Sequence, residues 1–451
     1  MKDVTFLVES VKKLLRRGAT THLLNMLTKV RPQDLAEACK TLDEAERNAA
    51  FRILVEGHLP TAAGLVQEIH PTLRADLLRG MEPEAVARVL HGLSDDDVAG
   101  IVAERPDDER EALLSVMQRE ASKEVQDLLE YDEETAGRIM TKRYVALPEE
   151  TLVREAIAAV QKAQEAEMVF YVYVVDDHGR LSGVMSLRRL LTVPPATTLR
   201  EIMSTDVISV KAETDQEEVA RIASRYDLLS VPVVDAHNVL VGIITIDDIV
   251  DVMREEATED FYKLAGTSDE ERLLKSTLGA ARIRLPWLFA AFAGGLLAAL
   301  LIKAYTPLLS HAAVLACFIP VVLGMGGNIG TQAATIMVRG LATGRISVLQ
   351  AGQVIFKEIR IALLLGLFYG TLLGLAAVPI VGMGAAAGVA IGLSLLASMT
   401  MAAVVGAMLP VLLKTMHVDP AVATSPFVTT AVDLLGLLAF FGLASRQLVG
   451  G

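Results

Sequence analysis

Hydrophobic positions along the chain follow three successive patterns. Up to about residue 130, apolar residues recur every three or four positions in short runs. Turns between the runs open on acids: Asp43-Glu44, Glu82-Pro83-Glu84 and Asp107-Asp108-Glu109. Acids and proline in a first helical turn suit the positive end of the helix dipole. Similar phrases beginning at Asp34, Asp76 and Asp97 precede the turns. This loose repeat predicts an α-superhelix of stacked helices over 1–130.

Near Gly137 the period shortens. Phe170–Asp176 alternates as a strand, Gly179 turns the chain, Leu181–Met185 is a second strand, and a helix follows. The same order returns at Ser230–Asp235, Leu240–Thr245 and the helix from Asp247, and a similar phrase introduces each copy (Gly137–Thr141, Arg200–Ser204). The duplicated β-β-α unit, with Val231-Pro232-Val233-Val234-Asp235 and Gly242–Asp248, resembles a tandem pair of CBS motifs. The resemblance implies an adenosine nucleotide as a candidate ligand, with Thr245, Asp248, Tyr171 and Arg188 as its contacts. Arg189 stands where the first copy should carry the acid, and Leu228 where an aromatic ring would stack on adenine. Both departures count against ATP.

In the third pattern the charges disappear. Leu285–Ile302, Ala312–Val338 and Ala421–Ser445 are each long enough to cross a bilayer. Ile361–Leu413 is uncharged and too long for one span, and Pro379 with Gly382–Gly388 supplies the turn that divides it. Five spans result, and 277–451 is read as the membrane domain. A charged stretch over 251–276 predicts a connecting helix between it and the α/β part, which occupies 131–250.

Charge sharpens this division. Three acidic residues (Glu358, Asp419, Asp433) and nine basic ones follow Ser276, leaving 52 acidic and 33 basic residues before it. The net charge of −13 therefore splits into −19 and +6, which implies two different solvents. Arg282 and Arg284 flank the first span, and Arg339, Arg345, Lys357 and Arg360 fill the second connection. The positive-inside rule places the N-terminal part in the cytoplasm and, after an odd number of spans, the C-terminus outside. The first residues lack the apolar core of a signal peptide. Cys39 and Cys317 lie in different regions, so neither a disulfide nor a zinc site is expected.

Candidate chemistry lies in two places. Asp433 is an acid inside a span, and such groups are costly enough to imply function. Ser425, Thr429 and Asp433 are four residues apart and share one helical face. Hydroxyls and a carboxylate are hard ligands that suit Mg²⁺ or Ca²⁺. Asn328 and Gln332 share a face of the glycine-rich second span, where exposed carbonyls and amides suit a water-filled path. On the cytoplasmic side, acids crowd from Asp247 to Asp260. Ions bridging them would stabilise a compact state in a region that otherwise repels itself.

Pro320–Gln332, Asp419-Pro420 and Ser425–Asp433 together resemble the signature of the MgtE family of Mg²⁺ channels, and the order of parts matches over nearly the whole chain. The resemblance implies a multidomain membrane protein and not an enzyme: helical N domain, CBS pair, connecting ("plug") helix and five-helix membrane domain. It implies a homodimer in the bacterial inner membrane, with one pore on its two-fold axis lined by the second and fifth spans. Mg²⁺ would enter hydrated, held at Asp433, and cytosolic Mg²⁺ would close the gate. The regulatory positions it implies are Asp97, Glu217, Asp227, Asp248, Asp251, Glu256, Glu259, Asp260 and Asp419. No nucleic-acid partner is expected. A CBS-regulated carrier for other divalent cations and an intramembrane aspartyl hydrolase stay open as alternatives; the hydrolase would need a second acid beside Asp433.

Overall fold

The structure, a computed structural model, describes residues 4–163, 170–268, 276–311, 313–381, 385–423 and 426–448. It divides into two compact units, 1–254 and 255–451.

The first unit opens with ten short helices: α1 (Val4–Arg16), α2 (Thr20–Leu27), α3 (Pro32–Thr41), α4 (Glu44–Gly57), α5 (Leu59–Glu68), α6 (Pro71–Leu78), α7 (Pro83–Leu90), α8 (Asp95–Ala103), α9 (Asp107–Val116) and α10 (Arg119–Leu129). The acidic turn residues begin helices as expected. Asp43 accepts the Glu46 N–H at 2.8 Å while Glu46 reaches back to the Asp43 N–H, a capping box. Pro83 sits at the start of α7. Each helix is too short to stand alone in water. Leu23, Phe51, Leu65, Val86, Leu90 and Leu128 bury their apolar faces in one continuous core.

The α/β part holds β1 (Ala146–Pro148), α11 (Val153–Lys162), β2 (Tyr171–Val175), β3 (Leu181–Ser186), α12 (Leu187–Thr192), α13 (Leu199–Ile202), β4 (Val210–Lys211), α14 (Gln216–Tyr226), β5 (Ser230–Val234), β6 (Leu240–Thr245) and α15 (Ile246–Leu264). Two three-stranded sheets, β1-β2-β3 and β4-β5-β6, each combine a parallel and an antiparallel pair. The introductory phrases cross over between them. Thr141, before the first copy, pairs with Ile243 in β6, and Ser204, before the second, pairs with Val184 in β3. Glycine permits both crossings: a Cβ on Gly242 would meet the Met140 sulfur at 2.5 Å, and one on Gly183 the Met203 sulfur at 2.5 Å. The internal sequence repeat is thus a reciprocal exchange between halves.

α15 ends at Leu264, short of the limit at residue 276 suggested by the charge pattern. Gly266 follows in the left-handed region (φ 74°), which ends the helix cheaply. Residues 269–275 lie outside the described part.

Among its described residues the second unit contains five helices long and apolar enough to span a bilayer: Thr277–Ala304, Ile319–Ala342, Ala351–Val381, Ala385–Thr415 and Pro426–Leu448. A 3₁₀ turn over Ala313–Phe318 precedes the second, so that helix begins near Pro320 and not at Ala312. The third starts at Ala351 and takes in Lys357, Glu358 and Arg360, which the sequence pattern assigns to the preceding connection. Lys357 and Arg360 are exposed, as basic side chains near a helix end can be when they reach for the membrane surface. Glu358 is only 5% exposed, so Asp433 is not the sole acid within a span.

Glycines bring these helices together. A Cβ on Gly370 would stand 2.5 Å from the Gly392 carbonyl oxygen, so the third and fourth spans pack backbone to backbone. The second, fourth and fifth spans share a core of Val322, Ile329, Leu395, Met399, Val428, Val432 and Phe440.

Candidate functional site

The membrane site begins with Gly326 and Gly330. Both lie on the buried face of the second span; a Cβ on Gly330 would meet Val432 at 2.8 Å. Their spacing therefore seats the second span directly against the residue before Asp433. Asn328, between them in sequence, lies on the exposed side of the helix, as does Gln332. Asp433 stands two turns into the fifth span and is half-buried, and Thr429 is exposed one turn before it. Ser425, the third member of the proposed stripe, lies outside the described residues. The helices carrying the pore candidates thus pack together, with their polar groups off the apolar seam.

Outside the membrane helices, folding sorts most of the predicted acids into two groups. The first joins α8 to the start of α15. Asp97 accepts hydrogen bonds from Gln67 Nε2 (2.6 Å) and Ser94 Oγ (2.7 Å). Burial raises its carboxyl above the ordinary range, and Asp247 and Asp251 push it further. Thr245 is 1% exposed, and its hydroxyl sits between the carboxyls of Asp247 and Asp248, 2.6 Å from Asp248 Oδ2. One hydroxyl proton can serve only one of them. Burial, then repulsion from Asp96, pushes Asp248 up to about 8. Burial, then repulsion from Asp97, pushes Asp96 up to about 7. Asp96 Oδ1 is buried without a hydrogen-bond partner among the described residues.

Sequence reasoning did not single out Asp96. The run Asp95-Asp96-Asp97 was the available signal, since three acids at a helix start exceed what the dipole requires. Asp95 has a separate task, pairing with Arg143 at 3.0 Å. Asp251 contributes to the field at Asp97 but is exposed and paired with Arg254 at 2.9 Å.

The second group lies in the other unit. Lys263 Nζ reaches Glu259 Oε1 (2.5 Å) and Asp419 Oδ2 (2.8 Å). Burial, then Asp419, raises the Asp260 carboxyl. Burial alone would depress Lys263; its hydrogen bonds to Asp419 and Glu259 outweigh that and hold the ammonium above its ordinary value. Lys263 was also missed, because a lysine in an acidic run reads as ordinary charge balance. Glu256 is half-buried on the same helix. Glu217 and Asp227 are not brought together: they flank opposite ends of α14. The nucleotide candidates Tyr171 and Arg188 are half-buried and exposed, respectively.

No three of the acidic, histidine or cysteine side chains converge on one point among the described residues. The carboxyls interact by charge without forming a direct coordination shell.

The first group carries a pH signature. The folded carboxyls of Asp96 and Asp248 titrate near 7 and 8 against an ordinary 3.8. Stability of the compact arrangement is therefore complete below about pH 4 and is lost as pH rises through about 7 to 8. In chelator, protease resistance of the 1–254 region should fall between about pH 4 and about pH 8, and Mg²⁺ should restore it more strongly at the alkaline end. A flat profile would remove the cluster from consideration.

Comparison with known proteins places these features. The MgtE intracellular N domain matches residues 30–134, CBS domains match 136–196 and 199–255, and the MgtE divalent cation transporter domain matches 319–443. The magnesium transporter MgtE of Bacillus subtilis is 38% identical over 334 residues, 74% of each chain. That of Thermus thermophilus is 40% identical over 333 residues, 71% of this chain and 72% of its own. The chain belongs to the MgtE family.

It is accordingly a multi-pass membrane protein of a family of divalent-cation transporters, not of enzymes. Among solved structures, the cytosolic domain of the Mg²⁺ channel MgtE in complex with ATP is 36% identical, covers 54% of this chain and 99% of its own, and superposes with a TM-score of 0.52. The soluble part of a magnesium transporter is 30% identical, covers 56% of this chain and all of its own, and gives a TM-score of 0.51. The MgtE architecture of helical N domain, CBS pair and apolar helices is thus the one read from the sequence.

Proposed function

We propose that this MgtE protein is a homodimeric Mg²⁺-selective channel that admits the ion to the bacterial cytoplasm and is closed by cytosolic Mg²⁺. The N domain would be 1–130, the CBS pair 131–250, the connecting helix 251–276 and the membrane domain 277–451. In the membrane, Asp433 holds the hydrated ion, with Thr429, Ser425 and Asn328 around it. The observation that carries the gating reading is the buried, partnerless Asp96 Oδ1 in a group of acids drawn from α8 and α15. Two like charges 4 Å apart repel by about 1 kcal/mol in water and about 4 kcal/mol near a protein surface. A divalent ion that replaces this repulsion with attraction stabilises the compact state, and mass action makes closure depend on its concentration.

The reading is tested by single-channel recording of the purified protein in a planar bilayer. Discrete unitary currents carried by Mg²⁺, vanishing as Mg²⁺ rises on the N-terminal side, are expected. Smooth, saturable flux without unitary events would favour a carrier.

A nucleotide in the CBS pair is a second reading, favoured by the ATP complex of the related cytosolic domain and by the Thr245–Asp248 pairing. Here Thr245 already serves two acids, so nucleotide and divalent ion should be coupled at this point. Calorimetric titration with ATP, with and without Mg²⁺, tests it.

A further inference from the structure

Lys263 is the one member of the second acidic group that cannot be a metal ligand in its charged form. Its Nζ donates to Glu259, one turn earlier on α15, and to Asp419, ahead of the fifth span. Asp419 Oδ1 accepts the Ala421 backbone N–H at 2.8 Å, so its carboxylate is anchored on one side and held by the ammonium on the other. Asp260 lies within the field of Asp419. The ammonium therefore sits between oxygens of Glu259 and Asp419, two positions that the family resemblance assigns to regulatory ions.

We propose that Lys263 is a tethered cation that competes with regulatory Mg²⁺ for Glu259 and Asp419 and so sets the concentration at which the ion acts. This rests on the gating reading above. An ammonium is a compact charge on a flexible four-carbon stem, and the Lys263 side chain retains 29% exposure, which leaves it a path away from the pair. While bound, it neutralises the two carboxylates and prevents their repulsion from forcing α15 and the segment before the fifth span apart. An incoming divalent ion must take over those oxygens and also sit near a displaced positive charge. Both costs disappear when the ammonium is removed. A structural strut would behave in the opposite way: without it the compact state would be weaker and would need more Mg²⁺.

The sign of one shift separates these cases. Full-length parent, Lys263→Met and Lys263→Arg are titrated with Mg²⁺, and the midpoint is read from protease protection and from inhibition of flux in liposomes. Lys263→Met, which keeps an apolar stem of similar length, is expected to lower both midpoints by about three- to tenfold, less at high ionic strength. Lys263→Arg keeps the charge and should stay within about twofold of the parent. A midpoint that rises or does not move in Lys263→Met, while the parent is normally protected by Mg²⁺, overturns the competitor role and leaves Mg²⁺ gating standing. If the parent itself shows no Mg²⁺-dependent protection or inhibition, the gating reading fails and this proposal falls with it.

Discussion

Asp433→Ala is expected to abolish divalent-cation flux in reconstituted liposomes while the protein still elutes as a folded species. The expectation follows from where the carboxylate stands. It is half-buried two turns into the fifth span, next to Val432, on which Gly330 of the second span is seated. The other pore candidates on these two helices, Thr429 and Asn328, are neutral, so the carboxylate supplies the charge that compensates an entering ion. Losing a charge-assisted contact removes about 3 kcal/mol of ion stabilisation, roughly 150-fold in occupancy. The apolar seam of Val322, Ile329, Val428 and Val432 is untouched, so the fold should survive. Cobalt hexammine, an inert mimic of a hydrated ion, should block the parent competitively. Near-normal flux in Asp433→Ala would reject the assignment; a mimic that neither binds nor blocks would indicate an ion that sheds its water. The buried Glu358 provides a control, since Glu358→Gln should not reproduce complete loss if Asp433 is the ion's main support.

The second large effect concerns the gate. Asp97→Asn combined with Asp248→Asn should leave the channel conducting at cytosolic Mg²⁺ concentrations that shut the parent. Asparagine keeps the size and the hydrogen bonds from Gln67 and Ser94 but not the charge that attracts the ion. The compact state then gains little from Mg²⁺. A near-complete switch needs about 5.5 kcal/mol of differential binding, spread over several sites. Removing one group should therefore raise the inhibitory midpoint at least about tenfold. Protease patterns of the 1–254 region should converge in Mg²⁺ and in chelator. Unchanged inhibition in the double variant would reduce these acids to a solvated surface.

Much of the fold was legible because each part carries a strong periodic signal. Uncharged runs marked the membrane helices, since a charged group within a bilayer is costly. Alternation and duplication marked the two β-β-α units, and β6 was found within its expected limits. Ends were less legible. The third span reaches back to Ala351 because charged side chains near a helix end can turn toward water without breaking the backbone ladder. α15 stops at Leu264 because Gly266 turns there, a local event that charge pattern does not report.

The candidate sites divide along the same line. Sequence alone pointed to the family through motifs that resemble its signature, and determined the order of parts, the acid at 433 and the density of carboxylates from Asp247 to Asp260, because the latter are matters of composition and spacing. Tertiary structure decided which charges meet. It set Asp96 and Asp97 against Asp248, some 150 positions away in the chain, and placed Lys263 between Glu259 and Asp419. It also exchanged the introductory phrases between the two CBS halves, with Met140 on Gly242 and Met203 on Gly183. Periodicity specifies which face of an element is buried, but not which other element covers it. That choice belongs to the packing of the whole unit, where a charge acquires its partner and a carboxyl the field that shifts it.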